Sequence, residues 1–243
     1  MDNDGPNLIN SMISFDDKTK EKLVKKRWDL ALIGANNAQR PIPILKEIDC
    51  SKTALCIIDM QLCFLEENAA VEVPEGRKII PNINLISNEL RDKGGIVIFF
   101  KYIIDDNPGL TELFEGHSYL GHDRLSPVDV LKIGHPQFSL HPDLHVNEND
   151  QIFTKNRFSA VHGSNLVNYL HENNIENVII TGVTTDVCAG NTAECLMQKD
   201  FHVVMVWDGT AALDNLEHNI FLAKFFGLYG DVMPTAEVLS RLK

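Results

Sequence analysis

No stretch of the 243 residues is apolar for long enough to span a bilayer, so no membrane crossing and no membrane partner is expected. The opening MDNDGPNLINSMISFDD lacks a basic segment followed by an apolar core, which argues against a secretory signal peptide. Cysteine is sparse and unpaired in pattern: Cys50, Cys56, Cys63, Cys188 and Cys195 include no Cys-x-x-Cys. An odd set of that kind does not make a disulfide framework, and a reducing, cytoplasmic setting is the expectation. Positive charge is short as well, with 22 Lys and Arg against 34 Asp and Glu, a net charge of −12. Such a field repels phosphate backbones and anionic lipid heads, so no nucleic-acid partner is expected. The one basic run, Lys18 to Arg27, has the spacing of a solvated helix face. Repeats and low-complexity tracts are missing too.

What remains is an ordinary globular composition, 44% hydrophobic and 23% charged. It fits one domain over residues 46–243 preceded by an extension over 1–45. The extension carries a predicted helix from Asp17 to Leu32, with Leu23, Val24, Trp28 and Leu32 as its apolar side, and a proline strap from Arg40 to Ile44. It packs either on the domain or on a second subunit.

Within the domain, Thr53 to Asp59 (TALCIID) is an apolar run that ends on a carboxylate, as expected of a strand buried on both faces. A helix follows over Pro81 to Asp92, stopped by Gly94-Gly95, and then a strand over Ile96 to Tyr102. Residues 103–149 show little periodicity, and long irregular segments often line a site. Further strands are expected at Gln151 to Thr154, Glu176 to Thr181, His202 to Trp207 and Asp231 to Met233. Helices are expected at Asn165 to Glu172, Cys188 to Lys199, Asn215 to Phe226 (closed by Gly227) and Thr235 to Leu242. The alternation predicts an α/β fold, an open parallel sheet with helices on both faces.

Three polar residues fall at or just after predicted strand ends: Asp59, Lys155 and Cys188. In open α/β sheets that edge is where ligands bind. Singly they read as a turn cap, a surface lysine and a small buried hydrophobe. Together they offer a base for a thiol proton, a cation to hold an anion, and a nucleophile in a first helical turn. Thr184, Thr185 and Asp186 have side chains able to cap that helix. Its dipole favours a thiolate, and its free N–H groups suit an oxyanion.

Asp59-Met60-Gln61, Lys155-x-x-x-Ser159-Ala160 and Gly182-Val183-Thr184-Thr185-x-x-Cys188-x-x-x-Thr192-Ala193 resemble, in order and spacing, the three signature blocks of the isochorismatase-like cysteine hydrolases. The resemblance spans roughly residues 52 to 235. It implies a three-layer α/β/α domain with a six-stranded parallel sheet of order 3-2-1-4-5-6. It also implies Cys188 as nucleophile, Asp59 as base and then acid, Lys155 as electrostatic partner, a cis peptide at Val183–Thr184 and a homo-oligomer. The chain has Leu62-Cys63-Phe64 where many relatives have Asn-Asp-Phe, and Val161 and Ala189 where they often have Phe and Val; these departures touch pocket shape.

Gln61, Arg157 and Asn191 are candidate contacts to a small-molecule substrate. No cofactor and no metal are expected: strand two runs into Ile103-Ile104-Asp105-Asp106-Asn107 without an Asp-x-His motif, and His135, His141 and His145 lie in a proline-broken loop. Because Cys188 sits in an intact block, the favoured chemistry is hydrolysis of an amide or ureido C–N bond through a thioester. The alternatives are a vinyl-ether hydrolysis in which Asp59 supplies the proton, and a non-catalytic binding module.

Overall fold

The computed structural model describes residues 16–104 and 126–243. The first 15 residues of the predicted extension and residues 105–125 of the predicted loop lie outside this range. Six strands, β1 (Thr53–Ile58), β2 (Ile96–Tyr102), β3 (Gln151–Lys155), β4 (Asn177–Val183), β5 (His202–Ala211) and β6 (Asp231–Met233), form one sheet of order β3-β2-β1-β4-β5-β6. Every pairing is parallel.

Side chains alternate across the strands, and the two faces meet different helices. Leu55 and Ile57 of β1 pack with Ile83, Ile86 and Leu90 of α2 (Ile80–Asp92). Ala54, Cys56 and Ile58 face the opposite core, shared with Leu166 and Leu170 of α3 (Leu166–Glu172), Ala193 and Leu196 of α4 (Cys188–Met197), and Phe221 and Phe225 of α5 (Asn215–Leu228). α6 (Thr235–Arg241) joins α2 on the first face through Val238. Coverage on both sides is why β1 and β4 read as unbroken apolar runs rather than alternating ones. Each fully buried Leu or Ile there contributes roughly 1.5–3 kcal/mol.

The strand order reverses between β1 and β4, the position where open parallel sheets open a crevice at their carboxyl ends. Gly182 makes this junction close. Its φ is +102°, and a Cβ there would sit 2.1 Å from the Ile58 carbonyl oxygen, so only glycine lets the end of β4 lie against the end of β1.

The helix of the extension, α1 (Asp17–Asn37), packs on α5, and the strap follows it onto the same part of the domain. Asp231 accepts hydrogen bonds from the backbone N–H groups of Ile44 and Leu45, both at 2.9 Å. Arg40 stacks on Phe226 with its guanidinium carbon 4.6 Å from the ring centroid. Of the predicted inward side of α1, Leu23, Val24 and Trp28 are half-buried, with the Trp28 ring centroid 5.8 Å from that of Phe226, whereas Leu32 is exposed with Leu30 and Ile33, and Ala31 and Ala35 are buried beside Phe226. Small residues win the inward side because the helices approach closely. Gly227 lies inside α5 instead of closing it, and a Cβ there would come within 3.3 Å of the Ala31 Cβ.

β5 also runs four residues past the predicted end. Asp208 is therefore inside a strand, where its carboxylate accepts from the backbone N–H and the hydroxyl of Thr235 at 2.7 and 2.8 Å and caps α6. No helix among the described residues is long and apolar enough to cross a membrane, and all five cysteines are free thiols.

Candidate active site

Asp59 directly follows β1 with a φ of +53°, a left-handed conformation that Asp tolerates better than most residues. Lys155 is the last residue of β3, and Cys188 opens α4. Three different strand ends thus deliver three side chains to one spot. Lys155 Nζ lies 2.7 Å from Asp59 Oδ2, with both side chains essentially without solvent contact. The Cys188 thiol interacts with both the carboxylate and the ammonium. The lysine is further held by the Arg157 carbonyl at 3.2 Å and lies 4.5 Å from the centroid of the Tyr102 ring.

Burial governs the proton distribution here. It pushes the Cys188 thiol well above its ordinary range, against the pull of Lys155. Burial likewise raises Asp59 although Lys155 opposes it, while for Lys155 the carboxylate and the thiol overcome burial and hold it protonated. The expected thiolate at a favourable helix start thus meets an opposing effect: burial in the dry site favours the thiol, against Lys155 and the helix dipole. One cation faces two acids, so the site sustains a single negative charge that Asp59 and Cys188 share.

The segment before the cysteine supplies donors. The Val183–Thr184 peptide bond is cis. Among the described residues, the backbone N–H groups of Thr184 and Cys188 have no acceptor, whereas Thr185 donates to Ala211 and Ala189 to Thr184. None of Thr184, Thr185 or Asp186 caps α4 as the sequence led us to expect. The N-cap is Val187, and the Thr185 hydroxyl instead lies 2.7 Å from His218 Nδ1 on α5. A helix start without a side-chain cap leaves its N–H groups available to a ligand.

The other two signature blocks are joined by Thr192. Its hydroxyl donates to the Cys188 carbonyl at 2.8 Å and accepts from the Ala160 N–H at 3.0 Å, tying the cysteine helix to the loop after the lysine. Gly163 sits under that loop, where a Cβ would be 3.0 Å from the Lys155 Cβ.

A cavity of about 150 Å³ opens beside Asp59, Thr184 and Cys188, with Tyr102, Phe158 and Leu213 among its walls. None of the three expected substrate contacts lines it. Gln61 is buried and saturated by backbone: its Nε2 donates to Tyr102 and Phe138 at 3.2 and 3.1 Å, and its Oε1 accepts from the Tyr102 N–H at 2.6 Å. It fastens the end of β1 to that of β2. Arg157 is exposed and donates to the Asn156 carbonyl; Asn191 is exposed and donates back to Val187 within its own helix. A larger cleft of about 530 Å³ shares Leu213 but has no cysteine in its described lining.

Two of the loop histidines form local turns and the third makes a tertiary contact. His135 Nδ1 accepts from the Gln137 N–H, His141 Nδ1 from the Asp143 N–H, and His145 Nδ1 faces the Asn88 amide. Sequence reasoning passed over Thr192, which stood inside a quoted block, and His218, whose tie to Thr185 had no local signal.

Comparison with known proteins adds the following. The sequence matches the family model for the Isochorismatase domain over residues 53–237. A probable inactive nicotinamidase of Arabidopsis thaliana is 33% identical over 162 residues, covering 66% of this chain and 81% of that protein. The ureidoacrylate amidohydrolase of Klebsiella pneumoniae is 25% identical over 213 residues, covering 78% and 87%. Among solved structures, a cysteine hydrolase from Pseudomonas syringae shares the fold with a TM-score of 0.74 at 23% identity, covering 80% of this chain and 94% of that one.

Proposed function

Because the chain belongs to the isochorismatase family of hydrolases, we propose that it cleaves the C–N bond of a small amide or ureido compound through a thioester on Cys188. The observation that carries this reading is the sealed Lys155–Asp59 ion pair at 2.7 Å with the Cys188 thiol against it. Asp59 takes the thiol proton as the sulfur attacks the carbonyl carbon. Lys155 keeps its charge throughout and balances the single negative charge as it moves from the carboxylate through sulfur to the oxyanion. The N–H groups of Thr184 and Cys188 suit the oxyanion. When the C–N bond breaks, the proton on Asp59 passes to the departing nitrogen, which leaves as ammonia or an amine. Water then gives a proton to Asp59 and attacks the thioester; the S–C bond breaks and the proton returns to sulfur.

A second reading has support in the raised proton affinity of Asp59, which suits a general acid that protonates a vinyl ether without the thiol. Intact-protein mass spectrometry with a panel of amides and ureides separates the two. The thioester reading expects an acyl adduct on the wild type that is absent from Cys188→Ala, together with loss of turnover in that variant. Turnover that survives Cys188→Ala and disappears in Asp59→Asn would replace it with the acid mechanism. A wild type inert toward both substrate classes would leave a binding module.

A further inference from the structure

The shape and chemistry of the cavity beside Cys188 narrow the substrate. From them we infer that the group carried by the scissile carbonyl is uncharged and apolar, branched aliphatic or aromatic, and no larger than about a benzene ring. The inference rests on the C–N hydrolase reading above. Its first support is size: the cavity is about 150 Å³, and a hydrocarbon-lined cavity of roughly that volume holds benzene.

Its second support is the lining. Phe64, Val71, Leu131, Phe158 and Val187 present hydrocarbon, and the Tyr102 and Phe158 rings are stacked with centroids 6.1 Å apart and planes 15° from parallel. Among the described lining residues the polar members are Asp59, Thr184, Cys188 and Tyr102, of which the first three belong to the reacting end. No Lys or Arg stands among the described lining residues, and Lys155 is already neutralised by Asp59 at 2.7 Å. A carboxylate on the substrate would lose its water against this wall, find no cation among its described residues, and share the space with the negative charge of the catalytic pair. An apolar group of the same outline loses little and gains the contact with the rings.

A matched pair of amides tests this. In 4-methylpentanamide the branched end has the outline of the carboxylate of succinamate, and the amide ends are identical. Ammonia release by the wild-type enzyme is expected to give kcat/KM roughly 100-fold or more in favour of 4-methylpentanamide. Benzamide should be accepted alongside it. Leu213→Lys is the companion variant, at a wall position that is 46% exposed and able to carry a charge. It should move the ratio toward succinamate. Equal or preferred turnover of succinamate by the wild type would overturn the inference while leaving the C–N hydrolase reading intact. Failure of every amide and ureide in the panel would remove that reading and this inference with it.

Discussion

Lys155→Met takes away the cation 2.7 Å from a carboxylate that has almost no solvent contact. The folded variant then has two choices, a bare buried anion or a protonated acid, and the second costs less. In the unfolded chain an aspartate titrates near 3.9, so holding Asp59 neutral at pH 7 costs about 1.36 kcal/mol for each of roughly three units, near 4 kcal/mol. That agrees with the ~3–5 kcal/mol typical of a buried pair broken from one side. The sign follows from linkage. The folded-state affinity is raised above the unfolded value, so the stability of the variant is intact below about pH 3.9 and falls by about 1.4 kcal/mol per unit above it. Burial raises Asp59 in the wild type as well, but Lys155 opposes it, so the wild-type decline ends at lower pH. Urea unfolding followed by tryptophan fluorescence at a series of pH values should therefore show the gap between variant and wild type widening with rising pH once the wild-type decline has ended. The double variant Asp59→Asn/Lys155→Met, which keeps the shapes and removes both charges, should recover most of the loss. A gap independent of pH, or a double variant as unstable as the single one, would refute the shared-charge description of the site.

Two further outcomes test the positioning residues. Gln61→Leu removes the three hydrogen bonds between the Gln61 amide and the backbone of Tyr102 and Phe138 in a dry region, and should lower unfolding free energy by about 2–5 kcal/mol with KM for a good substrate nearly unchanged. A KM raised tenfold with stability intact would return Gln61 to the substrate contacts. His218 is held below its ordinary value, burial outweighing Asp186 and a bond to the Trp207 carbonyl. Its contribution to stability is present above about pH 6.5 and is lost as the pH falls through the folded value. His218→Asn should flatten that acid limb in urea titrations and lower kcat more than it changes KM, because the Thr185 hydroxyl loses the partner that steadies the turn before Cys188. An acid limb that survives the substitution would assign the effect to another group.

The sheet was legible because parallel strands covered on both faces must be written in apolar residues, and Thr53 to Ile58 and Asn177 to Val183 are. The grouping of Asp59, Lys155 and Cys188 was legible because each is a polar or reactive residue at or just after a strand end. The lining of the cavity was not legible. Gln61 stood close to Asp59 in the chain, yet its amide is spent on backbone groups brought in by other elements. The end of β5 was hidden because Asp208 and Gly209 are poor strand formers, whereas the register offered by β4, with its bulge between Ile180 and Gly182, carries the strand on to Ala211. On α1 the packing of Trp28 was legible, but Leu32 was misread and Ala31 and Ala35 were missed because hydrophobic size was taken as the sign of burial, and at a close helix crossing small residues are what fit.

That crossing also ties two parts of the chain together. The family match begins at residue 53 and so includes α5 but leaves out α1. Gly227 lies inside the matched range, while the Ala31 methyl 3.3 Å from a would-be Cβ lies outside it. Positions 31 and 227 are therefore coupled across that boundary: a larger side chain at one has to be answered at the other.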